Sequence, residues 1–374
     1  MHTTEIRDLK LPFRVLLGPG PSMVPPRVLR VMATPPVGYM DPEYLIVMDE
    51  VKELLKKTFQ TSNPVTLPIS GTGSAGMETA LCNFIEPGDS VLIAVHGFFG
   101  ERLADMAHRY GAQVDRLERP WGEVFTPEEI EAALSVKRYK LVAIVHGETS
   151  TGCVQPQVGA IAAAAHRFGA LLVLDTVASL GGIPVEVDKW DVDICYSGSQ
   201  KCLSAPPGLA PITISPRAWD VLEKRKHPVA NWYLDLKGIW RYWGDDPAYH
   251  HTGPANMIFA LREALRIVLE EGLEERFSRH RANAELLWDG LEELGLPPRV
   301  PKAYRMASLT TPQLPSDLDE ARVREKLLAE YNIEIAGGFG PLAGKIWRIG
   351  LMGFSSRREN VVLLLATLKR LLAS

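Results

Sequence analysis

Ile194-Cys-Tyr-Ser-Gly-Ser-Gln-Lys-Cys-Leu-Ser-Ala-Pro-Pro-Gly-Leu-Ala-Pro211 carries a single charge, Lys201, between Asp193 and Arg217. The stretch opens on a short apolar run and another begins at its end, as expected of strands buried on both faces. A lysine is ordinarily solvated. Held in such surroundings its amine loses water, which lowers its pKa and suits an amine nucleophile or a Schiff-base lysine. The plainer alternative is a lysine whose stem lies on apolar surface while its head reaches water.

Outward from this point the chain alternates. Strands are predicted at 91–95, 113–117, 141–146, 171–175, 194–197 and 210–214, with helical patterns at 100–110 and 156–168. That rhythm indicates an α/β fold with a mostly parallel sheet. After Pro254 two long amphipathic helices are predicted at 255–271 and 273–294. Strand, helix, strand, strand and helix follow at 306–313, 317–331, 333–336, 346–351 and 358–372. The expected division is an extended N-terminal arm (1–20), a large domain (21–265) and a smaller C-terminal α+β domain (266–374).

Two further charges stand alone. Asp175 ends the run Leu171-Leu-Val-Leu-Asp and is the only charge between Arg167 and Glu186. Ligands of open α/β sheets bind beyond the carboxyl ends of strands, where a carboxylate can face a cation; an aspartate capping the next turn is the alternative. Arg348 is the only charge between Lys345 and Arg357. On a strand it shares a face with Ile346 and Gly350 and suits a bidentate carboxylate, or else a structural ion pair.

Gly71-Thr-Gly-Ser-Ala-Gly76 spells G-x-G-x-x-G, which raises a dinucleotide-binding alternative. The preceding Pro64-Val-Thr-Leu-Pro-Ile-Ser70 has two prolines, unfavourable in a central strand. The next strand ends in Val95-His96-Gly97, with no acidic residue for a ribose. A Gly- and hydroxyl-rich loop before a helix predicted at 77–84 still suits one phosphate, or a plain N-cap at Thr72 or Ser74.

Composition excludes other classes. Lys plus Arg number 41 against 45 Asp plus Glu, a net charge of −4, with no basic footprint for nucleic acid. Cys82, Cys153, Cys195 and Cys202 form no C-x-x-C and read as buried free thiols. A polar N-terminus and short apolar runs point to a cytoplasmic protein without a membrane span. No metal site is expected: the adjacent His250 and His251 lack the i, i+4 spacing of a helical ligand pair.

Taken together the motifs resemble the class V aminotransferases of fold type I, the alanine–glyoxylate and serine–pyruvate/serine–glyoxylate group. The matching segments are Leu17-Gly-Pro-Gly-Pro-Ser22, Ser70-Gly-Thr-Gly-Ser74, His146-Gly-Glu-Thr-Ser-Thr-Gly152, Asp175-Thr-Val-Ala-Ser-Leu-Gly-Gly182, the run from Tyr196 to Gly208, Tyr249-His-His-Thr252 and Arg348-Ile-Gly-Leu-Met-Gly353. The resemblance implies pyridoxal 5'-phosphate bound to Lys201, with Asp175 on the pyridinium nitrogen as electron-sink partner. It implies Thr149 on the ring 3-oxygen, and Thr72, Gly73, Ser74 and Gln200 on the phosphate. Tyr249 and Thr252 would come from the other subunit of a homodimer. Arg348 would hold the substrate carboxylate, with Pro19, Gly20 and Tyr39 lining its pocket. Phe99 takes the ring-stacking position, where animal relatives carry Trp, and Ser74 stands where they carry His. Tyr39 and Met40 replace a His that many relatives have before Asp-Pro.

The implied activity is ping-pong transfer of an amino group from alanine or serine to glyoxylate or pyruvate. The alternatives are a cysteine desulfurase or related lyase on the same fold, an NAD-dependent dehydrogenase resting on the glycine motif, and a catalytically inactive binding protein.

Overall fold

A seven-stranded sheet organises the chain in the computed structural model, which describes residues 8–373. Its strands are β1 (Val65–Ser70), β2 (Ser90–Val95), β3 (Gln113–Glu118), β4 (Leu141–Val145), β5 (Leu171–Asp175), β6 (Ile194–Tyr196) and β7 (Leu209–Ile214). The spatial order is β1-β7-β6-β5-β4-β2-β3. Neighbours from β6 to β3 are parallel, and β7 runs antiparallel to both β6 and β1. Strands β4 to β7 are buried throughout, matching their near-continuous apolar sequences.

The proline-bearing stretch before the glycine loop is an edge strand, which reconciles its two prolines with the sheet. Pro68 lies opposite Pro211 in the β1–β7 register. Neither has an N–H to donate across that pair, and an edge strand tolerates the loss.

Helices cover the sheet: α1 (Pro42–Phe59), α2 (Gly73–Cys82), α3 (Phe98–Arg109), α4 (Val158–Arg167) and α5 (Ala255–Glu271). Helix α1 starts on its own signal: Asp41 accepts the Glu43 N–H at 2.9 Å and Pro42 occupies the first turn. Helix α2 begins four residues earlier than expected and has no side-chain cap.

After α5, helix α6 (Leu273–Glu293) leads to α7 (Glu320–Tyr331), β8 (Trp347–Gly350) and α8 (Arg358–Leu372). A second apolar core collects Leu17 together with Leu287, Trp347, Leu364 and their neighbours, apart from the core around the large sheet. The strand expected at 306–313 is reduced to Leu309–Thr310, and the one at 333–336 splits. Ile333–Glu334 pairs in parallel with Val15–Leu16, whereas Ala336–Gly337 pairs with β8. Of the expected N-terminal arm, residues 1–7 lie outside the described residues; 8–14 carry no regular structure, and Leu9, Leu11 and Phe13 are exposed.

One buried side chain ties α6 to both loops that matter below. Arg276 donates to Gly181 O (2.7 Å), to Cys202 O (2.6 Å) and to Glu271 (2.6 Å). It thereby clamps the turn after β5 to the turn after Lys201. Among the described residues no helix is long and apolar enough to cross a membrane.

Candidate active site

The carboxyl ends of β1, β2, β4, β5 and β6 lie along one edge of the sheet, because β7 reverses between β1 and β6. The loops that leave these ends enclose a cavity of about 220 Å³. Its wall contains Thr72, Gly73, Ser74, Phe99, Thr149, Asp175, Gln200 and Lys201, eight residues expected from the sequence and scattered over 130 positions.

One end of the cavity is built for an anion. Without a side-chain cap, the first-turn N–H groups of α2 at Gly73 and Ser74 are open. Backbone closeness explains the glycine: a Cβ at Gly73 would sit 3.0 Å from Val177. Gln200 adds a buried amide oxygen with no hydrogen-bond partner; half a turn of the amide offers its NH2 donors instead. Arg102, which the sequence analysis did not single out, donates to Ser74 Oγ at 3.0 Å and brings a positive charge to the same end.

Asp175 lies at the floor, 2% exposed. Its Oδ1 accepts the Val177 N–H and its Oδ2 the Tyr196 hydroxyl, each at 2.8 Å. Burial nevertheless outweighs these bonds and raises its pKa to about 6. A positive ligand group here would restore the charged form. The lone-charge signal in the sequence therefore marks a carboxylate aimed into a cavity, and its turn-forming bond to Val177 is present as well.

Lys201 faces the same space. Its amine donates to Pro19 O, and Gly20 is so close that a Cβ there would fall 2.6 Å from Nζ. Gly20 also has φ +113°, a conformation that favours glycine. Burial lowers the amine to about 8, and Arg348 pushes in the same direction. About a tenth of the amine is thus free at pH 7, far more than for an ordinary lysine.

Phe99 and Thr149 are set by a residue that sequence reasoning missed. Glu148 is fully buried; Oε2 accepts the Phe99 N–H at 3.1 Å, and Oε1 accepts Ser150 N–H and Oγ–H. Ser150 Oγ in turn accepts the Phe98 N–H at 2.9 Å. Helix α3 is therefore capped from the loop after β4, which fixes the Phe99 ring in the cavity wall. Glu148 is the only acidic or basic residue (histidine apart) between Lys140 and Arg167, so the criterion that found Asp175 would also have found it. Arg102 gives no such signal, because it lies among other charges on an amphipathic helix; its guanidinium covers the Phe99 ring at 4.8 Å.

Six expected residues lie outside the cavity wall, among them Pro19 and Gly20, which sit against the Lys201 amine. Tyr249 (55% exposed) bonds the Thr252 hydroxyl at 2.8 Å on the surface. Tyr39, expected in the substrate pocket, instead stands beside Tyr249 at 6.5 Å between ring centroids, in an aromatic group with Tyr242 and Tyr44. Arg348 is buried, and Phe339, not Arg348, forms the cavity wall. All four cysteines are buried free thiols, and burial pushes Cys202, beside the lysine, up to about 11. That is the opposite of what a thiol nucleophile requires. Among the described residues no cluster of His, Cys, Asp and Glu could hold a metal ion.

Comparison with known proteins converges on one group. The family described as aminotransferase class-V matches residues 15–346. The (S)-ureidoglycine–glyoxylate transaminase of Bacillus subtilis is 45% identical over 384 residues, covering 98% of this chain and 92% of that protein. The alanine–glyoxylate aminotransferase of Callithrix jacchus is 42% identical over 98% of this chain and 89% of its own length. The solved alanine–glyoxylate aminotransferase of Nostoc sp. superposes with a TM-score of 0.96 at 50% identity, covering 99% of this chain and 98% of that one.

The raised Asp175 pKa makes a prediction for the ligand-free protein. Below about pH 4 the carboxyl is protonated whether folded or unfolded; between about 4 and 6 only the folded state keeps the proton, so stability falls as pH rises and then levels off. Asp175→Asn removes this penalty. In urea melts it should stabilise the ligand-free protein at pH 8 by roughly 2–3 kcal/mol and have little effect near pH 4. An equal or lower midpoint at pH 8 contradicts the assignment.

Proposed function

The chain belongs to the class-V aminotransferase family, and from that premise we propose that it moves an amino group from a small L-amino acid to glyoxylate, with pyridoxal phosphate held in the cavity around Lys201. Both kinds of relative carry glyoxylate in their names while their donors differ, which favours glyoxylate over pyruvate as acceptor. Alanine or serine is the proposed donor. The single observation that carries the reading is the joint burial of the Lys201 amine and the Asp175 carboxylate in one cavity, with an uncapped helix N-terminus at its other end.

The residues fit the cofactor by chemistry. Gly73, Ser74, Thr72 and Gln200 would take its phosphate, Asp175 its ring nitrogen, Thr149 its ring oxygen, and Phe99 a face of its ring. When bound, pyridoxal phosphate supplies an electron sink next to the substrate Cα. Asp175, desolvated and bonded to Tyr196, holds a proton at the ring nitrogen. Lys201, with its amine near pKa 8, takes the Cα proton as general base. Arg348 binds the substrate carboxylate, and its guanidinium has no carboxylate partner among the described residues.

The surface placement of Tyr249 and Thr252 supports a homodimer in which they complete the partner's phosphate site, and Tyr39, packed beside Tyr249, would reach that site with them. Four reduced, buried thiols favour a cytoplasmic setting. A desulfurase needs a reactive cysteine, and the raised thiol of Cys202 speaks against it. A Rossmann dinucleotide site needs a parallel strand–loop–helix unit with an acidic ribose partner. Here β1 is an edge strand whose neighbour β7 is antiparallel, which disfavours that reading.

Two experiments test the proposal. Protein supplied with pyridoxal phosphate should show a visible absorption band that L-alanine or L-serine bleaches and glyoxylate restores; a band that no amino acid changes would leave the cofactor assignment and remove the aminotransferase one. Lys201→Ala and a Tyr249→Ala/Thr252→Ala chain should each be nearly inactive, yet regain up to about a quarter of wild-type activity after mixing and subunit exchange. Each mixed dimer then has one intact site. No recovery despite demonstrated exchange contradicts the shared site.

A further inference from the structure

Arg348 is an unusual buried cation. It is 5% exposed, and burial lowers its pKa to about 10. Its Nε donates to Gly337 O at 2.7 Å, but among the described residues its two terminal nitrogens have no hydrogen-bond or ion-pair partner. Buried charges are normally paired. What Arg348 has instead is an aromatic ring: its guanidinium carbon lies 3.8 Å from the centroid of Phe339. That ring is itself part of the cavity wall and packs on Phe98 at 4.9 Å, next to Phe99.

The loop that carries Phe339 is held in place. A Cβ at Gly338 would run into the Leu342 carbonyl, and Gly340 has φ +46°, where a Cβ would meet the Trp121 ring at 3.1 Å. Gly337 supplies both the β-pairing to Trp347 and the carbonyl that accepts from Arg348. The same short loop therefore grips Arg348 at Nε and covers one face of its guanidinium.

We propose that Phe339 is a specificity-determining residue: its ring holds Arg348 edge-on for a carboxylate and fills the space that a larger donor side chain would need. A guanidinium whose face is covered and whose Nε is engaged offers its two terminal nitrogens as a planar fork, which is the geometry of bidentate carboxylate binding. The ring attraction is sequestered from water, where cation–π contacts are strongest. The wall position of the ring limits the donor to small side chains. The assignment of Arg348 to the substrate carboxylate rests on the proposed function; the ring–guanidinium pair does not.

The test uses propionate, a carboxylate without an amino group, titrated calorimetrically into the protein loaded with pyridoxal phosphate. Phe339→Leu keeps an apolar wall but loses the ring, and Phe339→Ala also opens space. Both should weaken propionate binding about tenfold, with the cofactor absorption band unchanged. Only Phe339→Ala should raise kcat/KM for leucine relative to alanine. In an Arg348→Leu background, Phe339→Leu should have no further effect on propionate binding, since the pair acts as a unit. Unchanged propionate affinity and donor preference in both Phe339 variants overturns the proposal. If propionate behaves as expected but wild type transaminates no donor, the Phe339–Arg348 pair stands and the proposed function fails; the two failures are thus separate.

Discussion

Everything in the site depends on keeping an amine and a carboxylate out of bulk water at the ends of neighbouring strands. Asp175 and Lys201 are each shifted toward the neutral form by burial, the carboxyl to about 6 and the amine to about 8. Neither pays for itself as a structural ion pair, because the carboxylate bonds Tyr196 and Val177 while the amine bonds Pro19. Such an arrangement is retained where a ligand supplies the missing charges. The sheet makes it possible: five strand ends on one edge deliver the residues, and Arg276 locks the Asp175 and Lys201 turns together from α6.

Three of the helices that cover the sheet differ in how they begin. Helix α1 caps itself with Asp41, so it needs nothing from the site. Helix α3 is capped by Glu148 and Ser150, which couples the position of Phe99 to the Thr149 loop. Helix α2 is left uncapped, and its open N–H groups face the cavity. The G-x-G-x-x-G pattern thus leaves one helix end open, which suits a single anion. Spelling alone does not distinguish this from a dinucleotide loop; the strand that precedes it does, being an edge strand beside an antiparallel neighbour.

Much of this was legible in the sequence, and for a definite reason. Strands buried on both faces read as short apolar runs, so 171–175 is recovered residue for residue and the other central strands within a residue or two. A charge isolated in such a run is expensive, which is why Asp175, Lys201 and Arg348 stood out, and why Glu148 could have. The small sheet was less legible. Its strands are two to four residues long, and 333–336 changes partner midway, so no periodicity builds up. Tyr39 shows the other limit: its own chain packs it against Tyr249 and away from its own cavity, so the pocket place that the resemblance implies would have to lie in a partner subunit.

The most direct measurement is where the cofactor attaches. Protein loaded with pyridoxal phosphate would be reduced with borohydride, digested and mapped by mass spectrometry. The account predicts a stable phosphopyridoxyl group on the peptide that contains Lys201, at near-stoichiometric yield and on no other lysine. Label spread over surface lysines, or absent from Lys201, would contradict it.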